Sequence, residues 1–424
     1  MVDRLRLPRP TVLVRSNRQR HRCPRARSRG LVVEARRQLG GGRRSGLRHE
    51  MRIGILGYGL DRPLSGVTRV GIELTRALAE RDDVEVTLLR AYRNGPFSDD
   101  PRIAGARLPF CRLLPVLMAL GGPLIAAQAR RHRLDLVHDP IGIAPFTIPR
   151  RLGGPRAVAT IHDAIAFEYP DGYPLLNNVL HRRYIPWTLR NVDRVVTDSA
   201  HGRDAIARHM RLDPLVIDVV PLAIASHFTA TPSAGEIARV RASYGLERPF
   251  LLFVGAFQAR KNVVGLIDAF AQAHPRLPDV DMVLVGPRQW SYPLLAERLA
   301  ALDPDDRPRV LGYVPDADLA ALYAAATAVV VPSLFEGFGI PVLEAMARGA
   351  PVICSIASSL PEVAGDAALM VDPRDRDAIA NAMIRVATDQ TLADDLRHRG
   401  LARAAAFTWA ETARRYVEIY RSLA

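Results

Sequence analysis

Lysine is all but absent from this chain of 424 residues: of 58 basic side chains, 58 − 1 = 57 are arginine and Lys261 is the single lysine. Cysteine is almost as scarce. Cys23, Cys111 and Cys354 lie far apart, which excludes a CxxC redox pair, a zinc ladder and a disulfide framework and points to a reducing compartment. Long apolar runs are missing as well. No uncharged apolar stretch reaches the ~20 residues of a spanning helix, and the most relevant one, Leu113 to Gln128, is broken by Pro115, Gly121, Gly122 and Pro123. Acidic charge is short, but only at one end. Residues 1–50 hold 15 Arg against three acids (Asp3, Glu34, Glu50), a net of +12, so residues 51–424 carry 43 − 41 = +2. A nearly neutral body argues against nucleic-acid binding, which needs basic charge on the folded domain. With 48% hydrophobic and 24% charged residues, the chain as a whole is not disordered. Its length leaves room for two or three domains.

The first fifty residues have clustered arginines, a glycine run at 40–42 and no amphipathic period. They lack the compact apolar core of a signal peptide. An Arg-rich, acid-poor leader resembles an organelle transit peptide. The alternative is sequence upstream of the true start, because Met51 leads directly into Arg-Ile-Gly-Ile-Leu-Gly, a typical opening strand. Little order is expected before residue 51 on either account.

From residue 51 the pattern alternates strands and helices. Arg52–Gly57, Val84–Leu89, Leu134–His138, Ala157–Ile161, Arg194–Asp198 and Ile217–Pro221 read as strands, with a helix over Val67–Glu80. A second series follows at Phe250–Gly255, Met282–Gly286, Val310–Leu311, Ala328–Val331 and Pro351–Ile353, separated by Ala- and Leu-rich helical stretches. Short apolar runs that end in polar residues are the mark of parallel strands. Two such series imply two doubly wound α/β domains, with a boundary near 222–232. Parallel sheets bind ligands at the carboxyl ends of their strands, so the chemistry is expected in a cleft between the two.

Four loops at strand ends carry polar groups. The first, Gly57-Tyr58-Gly59 followed by Gly66-Val67-Thr68-Arg69, would let a phosphate or sugar approach the backbone. It is not the dinucleotide fingerprint, since Arg62 stands where the third glycine belongs. The second is Thr160-Ile161-His162-Asp163, where His162 would point into the cleft and Asp163 would orient it or hold a hydroxyl. A plain turn cap is the alternative, and His138-Asp139 competes for the same role. The third is Gly255 to Asn262, which holds Arg260 and Lys261. A compact ammonium suits a phosphate oxygen as a point charge, which gives a reason for keeping one lysine. The fourth runs from Pro332 to Glu344. Gly337 and Gly339 make a tight turn, and Pro341 suits the first turn of a helix. The amides near Phe338, Gly339 and Ile340 would form an anion site at its N-terminus. Glu344, one turn in, could bridge a ribose diol, and Glu336, before the turn, could reach hydroxyls of a sugar on the phosphate.

At these residues the sequence resembles the retaining family 4 glycosyltransferases of the GT-B fold. The match spans essentially residues 51–424 and includes the Glu-x7-Glu pair at Glu336 and Glu344, Arg260-Lys261-Asn262, Thr160-Ile161-His162-Asp163, Val196-Thr197-Asp198-Ser199, Ser358 to Asp366, and Phe407-Thr408-Trp409. After the extension over 1–50, expected from its composition to be disordered, the resemblance implies an acceptor-side Rossmann-like domain over 51–225, a nucleotide-sugar domain over 226–406 and a helix, 407–424, crossing back to the first domain. It implies His162, Asp163, Arg260, Lys261 and Glu336 as catalytic residues. Gly66, Val314, Gly337, Phe338, Gly339, Ile340 and Glu344 are implied around the donor. Many members carry Arg directly after the first glycine of the second domain, where this chain has Ala256, and it follows those that rely on the Arg-Lys pair.

The resemblance further implies transfer of a hexose from a nucleotide-diphosphate sugar, GDP-mannose favoured, to a saccharide or lipid-linked acceptor, with no cofactor and no metal. The positive side chains would stand in for a metal on the diphosphate. Asp-x-Asp occurs at Asp279/Asp281, Asp316/Asp318 and Asp375/Asp377, and helix capping is the simpler account of the last two pairs. A cytoplasmic enzyme is expected. The Leu113–Gln128 stretch, flanked by Arg112, Arg130, Arg131 and Arg133, would rest on the inner face of a membrane, or else form a core helix. Three other functions fit the sequence less fully. A nucleotide-sugar epimerase of the same fold needs carboxylates placed for proton abstraction. A pyridoxal-phosphate phosphorylase would have to use Lys261. A nucleic-acid scaffold fits only the Arg-rich head.

Overall fold

The computed structural model describes residues 50–423, apart from 61–65, 93–94, 171–177, 226–227, 229 and 288–291. The expectation for residues 1–50 therefore lies outside the described residues, except for Glu50. The body contains two all-parallel sheets. The first comprises β1 (Met51–Leu56), β2 (Val84–Arg90), β3 (Ile103–Arg107), β4 (Leu136–Asp139), β5 (Ala157–Thr160), β6 (Arg194–Thr197) and β7 (Ile217–Val219), in the order β3-β2-β1-β4-β5-β6-β7. The second comprises β8 (Phe250–Val254), β9 (Asp281–Val285), β10 (Arg309–Gly312), β11 (Ala328–Val331), β12 (Val352–Ser355) and β13 (Leu369–Val371), in the order β10-β9-β8-β11-β12-β13. Inner strands such as β8 (FLLFV) and β11 (AVVV) are apolar throughout because helices cover both faces of a parallel sheet.

Each sheet starts in its middle and reverses direction once. The reversal lies between β1 and β4 in the first sheet and between β8 and β11 in the second. The loops after those strands splay apart and leave a crevice, where ligands of doubly wound sheets bind. In the second sheet they carry Arg260-Lys261 and Glu336.

The strands expected from sequence are present, with two additions, β3 and β13. Residues 91–112 contain the edge strand β3. Just beyond the boundary expected near 222–232 lies the helix Ala234–Ser243, entered through a reciprocal capping box between Ser233 and Glu236. The Leu113–Gln128 stretch forms helix α2 (Leu114–Arg131), second after α1 (Gly66–Ala79). Leu117, Ile125, Ala126 and Ala129 face the core, while Leu113 and Leu120 are exposed. Of the Asp-x-Asp residues, Asp375 does cap a helix, accepting from Ala378 N–H. Asp316 and Asp318 do not; they pair with Arg69 and Arg239. The cause is Pro315, which takes the capping position and has no side chain to accept a hydrogen bond.

The final helix, Trp409–Leu423, packs on the first domain. Ala413, Tyr416, Val417 and Tyr420 join Ile53, Ile55, Val86, Leu136, Val158 and Val196 in one buried cluster, and Arg421 meets Asp83 at 2.6 Å. Four polar groups seal the contact. Tyr420 Oη lies 2.8 Å from His138 Nδ1, His138 Nε2 lies 2.8 Å from Thr160 Oγ1, and Thr160 Oγ1 lies 2.9 Å from Tyr416 Oη. Burial pushes the His138 pKa down to about 3, so the ring is neutral. His138, the competitor to His162, is thus a structural residue, and Asp139 anchors its own loop by accepting from Ile141 and Ala144 N–H groups. Tyr420→Phe would leave the buried Nδ1 without a partner. We expect a loss of about 1–3 kcal/mol, measured by urea unfolding, and an unchanged midpoint would contradict this account.

Candidate active site

The loop after β8 turns through Ala259–Lys261, a single 3-10 turn, and ends on Asn262 with φ of 55°. Asn262 donates through Nδ2 to the Pro373 carbonyl at 2.6 Å, fixing the turn's exit. This aims Arg260 and Lys261 at the loop after β11. Lys261 is 7% exposed and its ammonium donates to Glu336 Oε1. Arg260 Nη1 donates to Glu336 Oε2 at 3.1 Å and to the Phe335 carbonyl at 3.0 Å. Ser333 Oγ adds a third donor to the carboxylate at 2.7 Å. Burial opposes ionisation of Glu336, but the charges of Lys261 and Arg260 overcome it and hold the carboxyl below its ordinary range. The single lysine therefore faces inward, in a buried cluster of two cations and one anion.

The Glu336 backbone is fixed separately. Its N–H donates to Ser358 Oγ at 2.9 Å, and its carbonyl accepts from Ser359 Oγ at 3.1 Å. The chain then turns through Gly337 and Gly339. A Cβ at Gly337 would lie 2.9 Å from the His162 carbonyl oxygen and 3.0 Å from Asp163 Cβ, so glycine is required for the two domains to meet here. Gly339, with φ of 112°, precedes the helix Ile340–Ala347, which no side chain caps. Its first-turn amides lack intrahelical acceptors, which makes that end suited to an anion.

Glu344 is half-buried one turn into this helix. It accepts from Tyr323 Oη at 3.0 Å. Burial raises its pKa to about 7; the Tyr323 hydrogen bond and the charges of Arg69 and Arg348 act against that, and Asp316 acts with it. Its charge adds to that of Glu336 in acting on Lys261. The side chains of Val314 and Phe338 are packed in the second domain's core, which leaves only their backbones for a donor. Gly66 opens α1 and is exposed.

The first domain supplies the other wall. Both ring nitrogens of His162 are engaged within the protein. Nδ1 lies 2.9 Å from Asp198 Oδ2 and Nε2 lies 3.0 Å from the Pro140 carbonyl. Burial alone would lower the imidazole pKa, but the Asp198 carboxylate, with help from Pro140, raises it to about 9. With two acceptors the ring is an imidazolium that donates from both nitrogens. Asp163 spends one oxygen on the turn, accepting from Ile165 N–H at 2.9 Å, which is the turn cap weighed from sequence.

Contacts between the domains ring this site. Ser199 Oγ donates to the Gly337 carbonyl at 3.0 Å, and the Ala200 and His201 N–H groups donate to the two Glu362 oxygens at 2.7 Å each. Arg69 on α1 reaches Asp316 at 2.9 Å. Sequence reasoning assigned no role to Asp198, Glu362 or Arg69, although the first two lie within the matched motifs. Their partners are far away in the chain, and spacing carries no sign of them. The stabilisation from the His162–Asp198 pair is complete below pH 6.5 and is lost as pH rises through about 9, because the folded state holds the proton more tightly. Asp198→Asn should therefore lower the melting temperature most near pH 6 and much less near pH 9.5. A difference independent of pH would refute the charged pair.

Known proteins agree with this architecture. The family model for glycosyl transferases group 1 matches residues 237–403, and that for Glycosyltransferase Family 4 matches residues 64–227. O-antigen chain mannosyltransferase B of Escherichia coli is 33% identical over 381 residues, covering 85% of this chain and 97% of that protein. The serotype-specific mannosyltransferase WbdA of Escherichia coli is 36% identical over 197 residues, 45% of this chain and 24% of its own length. Sucrose-phosphate synthase from Thermosynechococcus elongatus shares the fold, with a TM-score of 0.69 at 24% identity over 88% of this chain and 99% of that one. So does Anabaena HepE in complex with UDP and glucose, with a TM-score of 0.68 at 21% identity over 88% of this chain and 100% of that one. The chain belongs to the group 1, family 4 glycosyltransferases and is a transferase of the GT-B fold.

Proposed function

We propose that this enzyme transfers mannose, with retention and without a metal, from a nucleotide-diphosphate mannose to a saccharide or lipid-linked saccharide. GDP-mannose is the favoured donor, and the cytoplasm the site of action. The observation that carries the proposal is the Arg260–Lys261 pair, aimed into the crevice of the second sheet beside the uncapped helix at Gly339 and Ile340. The mannose assignment draws on similarity, over nearly its full length, to a protein named as a mannosyltransferase.

In this reading the donor diphosphate lies against Arg260, Lys261 and the helix amides, and Glu344 holds the ribose. Cleaving the sugar–phosphate bond places negative charge on the departing diphosphate. Cations and amides already in position stabilise that charge most in the transition state, where it lowers the barrier. Removing one such contact would cost about 2.7–4 kcal/mol. The acceptor hydroxyl attacks the anomeric carbon on the face the diphosphate leaves, and a β-phosphate oxygen takes its proton. His162, with both nitrogens engaged, is a positioning residue: it ties β5, β6 and the Pro140 loop together behind the Gly337 contact.

A lipid-linked acceptor would bring the first domain to a membrane. Phe110, Leu113 and Leu120 are exposed at and before α2, together with Arg112, Arg130, Arg131 and Arg133. Trp187 is exposed beside Tyr184, which donates to the Met118 carbonyl on the same helix. Among the described residues no helix is long and apolar enough to cross a membrane. The proposed contact is therefore peripheral, with apolar side chains in the interface and arginines on anionic headgroups.

Three experiments test these assignments. Thermal-shift screening of nucleotide sugars should single out GDP-mannose, and Lys261→Ala should remove most transfer of that sugar while melting stays cooperative; undiminished turnover would defeat the cradle. Co-sedimentation with vesicles containing anionic lipid should capture the protein at low salt and release it at high salt. No binding at low salt would remove the membrane from the proposal.

A further inference from the structure

We propose that Glu336 is a built-in counter-anion: its carboxylate occupies the diphosphate cradle when the enzyme is empty and gives way only to a diphosphate that brings its sugar along. The inference rests on the reading of Arg260 and Lys261 as that cradle. Three donors converge on this one carboxylate, from Lys261, Arg260 and Ser333, and all four side chains lie in the buried or half-buried interior of the site. A phosphate oxygen and a carboxylate oxygen compete for the same N–H groups, and two anions cannot share them without repulsion. The exchange needs no movement of the main chain, because Ser358 and Ser359 hold the Glu336 backbone independently of its side chain.

The sugar decides the balance. A carboxylate displaced by an intact donor can accept hydrogen bonds from sugar hydroxyls, which compensate for the cations it has lost. With a nucleoside diphosphate alone, the displaced carboxylate faces another anion with no donor to bind. It returns to Lys261 and Arg260 and expels the diphosphate. The same group would thus favour uptake of the intact donor and release of the spent nucleotide.

Calorimetric titration with GDP, and with inorganic pyrophosphate as a probe independent of the base, tests this on the full chain. Glu336→Gln removes the competing charge and should bind both probes roughly tenfold more tightly than the unaltered enzyme. Ser333→Ala keeps the carboxylate but removes one of its anchors. It should shift both affinities in the same direction by less, and it decides the question if Glu336→Gln does not fold. Affinities equal to or weaker than the unaltered enzyme's in these variants would overturn the exchange, leaving Glu336 as a clamp that prepares the cations for phosphate. Undiminished binding of both probes by Lys261→Ala would instead remove the cradle and this inference with it.

Discussion

The ligand end of the second domain depends on one buried carboxylate. An ammonium removed from water is tolerated only when paired, and Lys261 is paired by Glu336. The same carboxylate takes Arg260, whose guanidinium also binds the Phe335 carbonyl and whose own carbonyl accepts from Leu334 N–H at 2.7 Å. The loops after β8 and β11, on either side of the sheet's reversal, are thereby fixed to each other. With no donor bound the two cations are already gathered at one point, and the Arg260–Phe335 and Leu334–Arg260 hydrogen bonds keep the two loops together whichever anion the cations hold.

The first domain is fitted to that loop rather than to the sheet beneath it. His162 and Asp163 lie against Gly337, and Ser199 binds the Gly337 carbonyl. Glu362, on the short helix following Ser358 and Ser359, accepts from the start of the helix Ala200–Met210. The buried imidazolium at His162 joins β5, β6 and the turn after β4 behind these contacts. The candidate site and the domain contacts therefore share the same few residues, so a change in the angle between the domains is felt at Gly337 and its neighbours.

Much of the fold was legible in the sequence because parallel strands are buried on both faces and read as apolar runs. The two strands that escaped notice are edge strands. β3 (IAGAR) is small and half exposed, and β13 has three residues, too few for a period to register. Strand order was beyond reach, since it depends on pairings between distant segments. At the site, Lys261 stood out by composition and the glutamates by spacing. Their direct pairing left no mark, because a carboxylate suited to sugar hydroxyls is equally suited to an ammonium. His162 was assigned to the substrate since nothing in Thr-Ile-His-Asp reveals that Asp198, 36 residues on, claims its ring. The His138 network was missed for the same reason: Tyr416 and Tyr420 lie at the opposite end of the chain.

The helix Trp409–Leu423 completes the hydrophobic cluster of a sheet whose strands end at Val219. A ribosome making this protein emits the strands of the first domain early and their covering helix nearly two hundred residues later. In the interval Ile53, Val86, Leu136 and Val196 have α1 for cover but lack Ala413, Tyr416, Val417 and Tyr420, and the second domain can fold while the first is still unsealed. The first part to be made is thus among the last to reach its final state. A nascent chain stalled anywhere before Tyr420 would present a sticky surface to chaperones and to other copies of itself.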